Sequence, residues 1–343
     1  MIGRQKKYQR LLSYLVMGLL LPFIANCGQS SVNQTNQNQN QTATTPSTPE
    51  QSSSVSTSGE KSKKLKVVTT FLPMYWFTKA VTGDAADVEI LIPPGSEVHD
   101  FQAKPDDVQA IANASVLVKN GLGLEAFLQD TIKNAQNPKL LEIDASKGID
   151  ILKEISPVEK AGKKDEDHDH NHNHAEGNPH VWLDPVLVKQ QVTNIKEGLI
   201  AKDPENKATY EANAAAYIKE LDNLNSEFQQ TLQKTPKCTF ITFHDAYPYL
   251  AKRYNLKQVA VVEIPEDQLA PTDVKNAIDA VKKYKVKALF SEPGVDNKLL
   301  TSLAKDLNLT LRELDSLENG DTNPQDYFQA MKANLQILET ACR

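Results

Sequence analysis

The sequence predicts an α/β protein of two lobes, each a four-stranded, mainly parallel sheet flanked by helices. One long rigid helix joins the lobes and leaves a cleft between them. Three observations predict this. Short runs rich in β-branched and aromatic residues alternate with helical patterns, which implies βα units and a parallel sheet. The alternation occurs twice, with four strands each time. Between the two blocks lies an almost strand-free stretch with an unusually long helical period.

The first block, residues 65–185, carries strand runs at Leu65–Thr70, Val88–Ile92, Ser115–Lys119 and Leu140–Ile143, with helical patterns at Pro105–Asn113 and Leu124–Asn134. The second, residues 237–343, repeats the scheme. Its strands are Thr239–Phe243, Gln258–Glu263, Val286–Phe290 and Leu309–Leu314, with helices at Pro271–Lys283 and Lys298–Leu307. The connector, residues 186–236, holds most of one helical segment, Pro185–Ala201, and a longer one, Pro204–Gln233. In the longer segment Tyr210, Ala214, Tyr217, Leu221, Leu224 and Phe228 recur at helical spacing. About thirty residues extend ~45 Å at 1.5 Å per residue, the span of a small domain. Such a helix is a stiff connector.

The ends of the chain read differently. Arg4, Lys6, Lys7 and Arg10 precede an apolar run from Leu11 to Ile24, and Cys27 follows. The run is short for a bilayer span, which takes about 20 helical residues, and reads as an export signal. Residues 1–27 resemble a bacterial lipoprotein signal with Cys27 as the lipid-bearing residue. Asn26 stands where Gly, Ala or Ser is usual, so ordinary signal cleavage is the other reading. Residues 28–64 are Gln, Asn, Ser and Thr with almost no apolar side chains, too little to offset ordering entropy, and read as a disordered tether. Two further cysteines, Cys238 and Cys342, are compatible with a disulfide in an exported protein, or with two unrelated thiols.

The 343 residues carry a formal charge of −6, which argues against nucleic acid, whose binders carry basic patches. No HExxH helix, no Ser/His/Asp set and no GxxxxGK[ST] loop is present. The chemistry lies in the seven histidines. His168, His170, His172 and His174 fall in the acidic tract 165–174, DEDHDHNHNH, which has no apolar residue and reads as a solvated loop offering weak secondary metal sites. The other three are His99, His180 and His244. His99 follows a predicted strand and a Pro-Pro-Gly turn, His180 ends the His-rich stretch, and His244 follows a predicted strand. Ligands of open α/β sheets bind outside the carboxyl ends of strands. A lone histidine there is usually structural; three together point to a metal, and imidazole nitrogens suit Zn²⁺.

At these residues the chain resembles the ZnuA-like solute-binding proteins of bacterial zinc and manganese ABC transporters. The matching segments are Gly95-Ser96-Glu97-Val98-His99-Asp100-Phe101, Lys104-Pro105-Asp106-Asp107 and Lys119-Asn120-Gly121-Leu122-Gly123-Leu124-Glu125. They continue with Asn178-Pro179-His180-Val181-Trp182-Leu183-Asp184-Pro185, Phe243-His244-Asp245-Ala246-Tyr247, Ser291-Glu292-Pro293 and Leu314-Asp315-Ser316-Leu317. They run in order from about residue 65 to 341. The resemblance implies two lobes on a rigid helix, one tight metal site in the cleft, and a permease partner in the cytoplasmic membrane. It implies His99 and His180 as first-lobe ligands, His244 as a second-lobe ligand, and Asp315 as a fourth that is distant or replaced by water in some zinc members. Asn178 replaces the Asp of many relatives. Manganese members carry Glu where this chain has His244, so the nitrogen-rich set favours Zn²⁺.

The resulting expectation is an extracytoplasmic, lipid-anchored, monomeric zinc-capture protein without enzymatic activity. The competing readings are a manganese-binding homologue and an exported zinc hydrolase. The hydrolase needs an open metal position and a base, for which Glu292 is the one evident candidate. In a binding protein Glu292 would instead accept a hydrogen bond near the cleft.

Overall fold

The computed structural model describes residues 64–96, 98, 99, 101–152, 177–262, 271–286, 288–293 and 298–343. The expected signal with Cys27, all but the last residue of the expected tether, and the tract 165–174 lie outside them. The first lobe runs β1 Leu65–Thr69, α1 Leu72–Thr82, β2 Ala86–Ile90, α2 Pro105–Asn113, β3 Val116–Lys119, α3 Gln129–Asn134 and β4 Leu141–Asp144. Two helices follow, α4 Pro185–Lys202 and α5 Lys207–Leu232. The second lobe runs β5 Thr239–His244, α6 Pro248–Arg253, β6 Lys257–Val262, α7 Pro271–Tyr284, β7 Ala288–Ser291, α8 Lys298–Asp306, β8 Thr310–Glu313 and α9 Asp326–Cys342.

Both sheets are wholly parallel and share one order, β2-β1-β3-β4 and β6-β5-β7-β8. In each, the direction of winding reverses beside the first strand. The crevice at that switch point, outside the carboxyl ends of β1/β3 and β5/β7, is where such sheets bind ligands. β2 begins two residues before its expected start. Its pairing continues to the expected end, because the Leu91 and Ile92 amides donate to the Thr69 and Thr70 carbonyls at 2.8 Å.

Three helices fall outside the sequence expectation: α1, the short α6 and α9. α1, Leu-Pro-Met-Tyr-Trp-Phe-Thr-Lys-Ala-Val-Thr, is apolar around most of its circumference and lacks an amphipathic stripe. It forms a helix because Pro73 favours its first turn and eight of its residues are buried against neighbours. α9 does carry a stripe, with Tyr327, Phe328, Met331, Asn334, Leu335 and Leu338 buried.

α5 has 26 residues, about 39 Å at 1.5 Å per residue, and buries the expected stripe plus Leu232. It packs against α4, α1 and α9. The apolar core is continuous from Val67 and Phe77 through Trp182, Tyr217 and Phe228 to Phe240, Phe290 and Leu338. Both lobes therefore share one core, and the described residues form one compact unit. Aromatic edges close it: Phe71 meets Trp182 at 4.8 Å between centroids, and Phe77 meets Tyr327 at 5.2 Å. Cys238, just before β5, is disulfide-bonded to Cys342 at the end of α9. No helix among the described residues is long and apolar enough to cross a membrane.

Candidate metal centre

Each histidine of the cleft is placed by a different element. His99 sits in the loop between β2 and α2. That loop is shaped by Gly95, whose φ of +78° favours glycine and whose missing Cβ would lie 3.1 Å from Asn319 Oδ1. The Gly95 amide donates to the Glu318 carbonyl of the second lobe at 3.1 Å, so the His99 loop is tied across the cleft. His180 caps the short 3₁₀ turn Val181–Leu183, whose three side chains are all buried. Next comes Asp184, which caps α4 by accepting from the Val186 amide. His244 ends β5, fully buried.

The three rings converge through their Nε2 atoms. His180 Nε2 lies 3.2 Å from His99 Nε2 and 3.2 Å from His244 Nε2. A Zn–N bond of 2.0–2.1 Å sets the edge of a tetrahedron at about 3.3 Å. These two edges thus stand almost at the spacing that a tetrahedral zinc ion requires. A carboxylate oxygen of Glu318 joins them, and all four donor atoms lie within 4.8 Å of one another.

Glu318 is absent from the sequence-predicted ligands, and Asp315 is not part of this group. The reason is a tight turn after β8. Asp315 Oδ1 accepts from the Leu317 amide at 2.7 Å, while Asn334 on α9 receives the Asp315 amide at 2.9 Å and donates to its carbonyl at 2.8 Å. Leu317 adopts φ +67°, a left-handed conformation rare for a branched residue. The turn engages the Asp315 carboxylate and brings Glu318 to the histidines.

The Nδ1 atoms meet different partners. His244 Nδ1 is hydrogen-bonded to Glu292, which follows β7 at the switch point and is itself buried. Burial disfavours the His244 cation, but the charge and hydrogen bond of Glu292, with Glu318 and Asp245 beyond, outweigh it and hold the pKa up at about 9. The Glu292 carboxylate is thus engaged by His244 Nδ1. His180 Nδ1 faces Asn178 Oδ1 at 2.9 Å. The Trp182 ring packs 5.0 Å from that of His180, and Trp182 Nε1 donates to the Ser316 carbonyl across the seam at 2.8 Å.

The family described as ZnuA, zinc-uptake complex component A, periplasmic, matches residues 67–341. The chain is 36% identical over 297 residues to the high-affinity zinc uptake system protein ZnuA of Bacillus subtilis (strain 168), covering 84% of this chain and 91% of that protein. It is 33% identical over 297 residues to the iron ABC transporter substrate-binding lipoprotein MtsA of Streptococcus pyogenes serotype M1, covering 83% and 91%. Among solved structures, AdcAII of Streptococcus pneumoniae aligns with a TM-score of 0.71 at 31% identity, over 82% of this chain and 99% of that one. By the extent of these matches and their agreement with the two-lobe fold, the chain belongs to the ZnuA family of zinc-uptake components.

Proposed function

We propose that this chain captures Zn²⁺ outside the cytoplasm with high affinity and delivers it to an ABC-type permease in the cytoplasmic membrane. The observation that carries the reading is the convergence of three Nε2 atoms between two lobes, with His180 Nε2 at tetrahedral spacing from the other two. His99, His180 and His244 are the nitrogen ligands and Glu318 is the carboxylate donor grouped with them. Family membership does not fix the metal, since MtsA is named for iron. The donor set does: three imidazoles and one carboxylate suit Zn²⁺ better than the oxygen-rich sets that suit Mn²⁺. In this reading residues 1–27 export the chain, Cys27 carries the lipid and residues 28–64 tether the monomer. His168, His170, His172 and His174 add weak sites, and the protein is a carrier rather than an enzyme.

Metal analysis and calorimetry on the purified protein, intact and lacking residues 165–174, test this. Both forms should retain one tight zinc equivalent, and the deletion should lose only weak sites. His99→Ala, His180→Ala and His244→Ala should each raise the Kd by more than about 100-fold, beyond the 10–100-fold typical of residues that only orient a ligand. Glu318→Gln should cost less than any of these, and Asp315→Ala least. Unchanged tight binding in a histidine variant removes that residue from the site. A protein that takes Mn²⁺ in preference to Zn²⁺ overturns the reading.

A further inference from the structure

Two of the cleft histidines are backed by chemically different acceptors. Behind His244 stands a carboxylate, Glu292. Behind His180 stands an amide, Asn178. The orientation of that amide is settled by its surroundings. Its Nδ2 donates to the Asp245 carbonyl at 2.6 Å and faces Asp245 Oδ2 at 3.5 Å, so its oxygen is the atom turned to His180. Asn178 Oδ1 also accepts the His180 backbone amide at 3.0 Å. The rest of Asn178 is committed as well: its amide donates to the Leu152 carbonyl at 2.9 Å, and its carbonyl accepts from the Tyr249 hydroxyl at 2.7 Å. Asp245 and Tyr249 belong to the second lobe, and His180 to the first.

An acceptor behind a metal-bound imidazole fixes its tautomer and raises its donor strength, and an anionic acceptor does so more than a neutral one. Resting on the zinc reading above, we propose that Asn178 is a positioning residue that makes His180 a weaker nitrogen ligand of the zinc site than His244 and couples it to the second lobe, so that His180 lets go before His244 when zinc leaves. The Nδ1–H of His180 donates to Asn178 Oδ1, which leaves Nε2 bare toward the metal. The bond is neutral, so it orients the ring without strengthening it as Glu292 strengthens His244. Displacement of Asp245 and Tyr249 relative to the first lobe pulls on Asn178 and through it on His180. No comparable link to the opposite lobe is needed at His244, whose carboxylate partner lies in its own lobe.

Asn178→Asp and Asn178→Ala separate the acceptor from the tether. Both lose the Nδ2 donor to Asp245, and they differ in the acceptor offered to His180, with the repulsion between the new carboxylate and Asp245 working against slower release in Asn178→Asp. The rate of zinc release to an excess of chelator is the readout, measured by stopped flow on the zinc-loaded full chain. Asn178→Asp should release zinc more slowly than Asn178→Ala by about 10-fold or more, the scale of such outer partners. The ¹⁵N spectrum of the loaded proteins should show Asn178→Asp moving His180 Nδ1 while His99 stays in place. Equal release rates for the two variants, or a His180 signal unchanged by the carboxylate, overturn the proposal. A wild-type protein that binds no zinc tightly overturns the functional reading instead. Should Asn178→Asp not fold, Glu292→Gln in otherwise wild-type protein decides. It should narrow the difference between the His244 and His180 Nδ1 signals, and an undiminished difference overturns the proposal.

Discussion

His244 is held between opposing demands, and its behaviour with pH follows from them. Burial pushes its proton off, and Glu292, Glu318 and Asp245 hold it on, up to about pH 9 in place of the ordinary 6.5. The folded, metal-free protein thus binds a proton that the unfolded chain releases near pH 6.5. The resulting stabilisation is fully present below 6.5 and is lost as pH rises through 9. Over that window the unfolding free energy of metal-free protein should fall by up to about 1.4 kcal/mol per pH unit. Zinc takes the place of the proton, so the loaded protein should lack this slope. Urea titrations at several pH values check both forms; a flat profile for metal-free protein would mean that His244 is neutral there. The convergence of His99, His180 and His244 was legible because histidine is scarce and each followed a strand or a metal-type tract. Glu318 was not, because its approach depends on Leu317 taking φ +67°, a conformation that nothing in a leucine announces. Asp315 drew the expectation by its place in the family pattern, and the same turn occupies its carboxylate.

At the scale of elements, the seam between the lobes is a set of helix ends and turns rather than a loose hinge. Asp184 begins α4 and is 2% exposed, and it meets Arg253 in the last turn of α6 at 2.8 Å. Burial raises the Asp184 pKa and the guanidinium pulls it back. Arg253→Ala would strand a buried carboxylate. Because the Arg253 side chain is a third exposed and water can partly replace it, the cost should be about 2–3 kcal/mol rather than the full 3–5 of a buried pair. Asp184→Ala should cost more, since it removes the cap of α4 as well, worth about 1 kcal/mol. The double variant should cost less than the sum, and a double-mutant cycle in urea measures the coupling. Additive losses would reduce the pair to a surface contact. The strands and the two connecting helices were legible from period and composition. α1 was not, because a helix buried on most sides carries no stripe to read. α9 did carry one, and its signal lay in plain apolar spacing.

For the molecule as a whole, a core shared by both lobes and a returning C-terminal helix make the resting cleft a property of the entire fold. Relative motion is the default for domains joined by small polar interfaces, and a large apolar seam restrains it to small shifts, enough to pull on a side chain such as Asn178 that bridges the lobes. α9 contributes twice: Tyr327 donates to the Trp182 carbonyl at 3.0 Å, and Asn334 holds the Asp315 turn that brings Glu318 to the histidines. The Cys238–Cys342 disulfide ties the end of this helix to the entry of β5 and closes a loop of 104 residues. A loop of that length is worth up to about 4–5 kcal/mol through the unfolded chain, and engineered removals usually show about 2–5. The hydrogen bonds that shape the site come from the start and the middle of α9, at Tyr327 and Asn334, and do not pass through the sulfurs. Replacing both cysteines by serine should therefore lower the melting temperature clearly while leaving the zinc Kd within about 3-fold, because the bond acts mainly on the unfolded state. Calorimetric melting and zinc titration of the same preparation check the two halves together. A loss of affinity as large as that of a ligand variant would mean that the anchored helix end is needed to hold Asn334 and the Glu318 turn in place, and that the disulfide shapes the cleft as well as the unfolded chain.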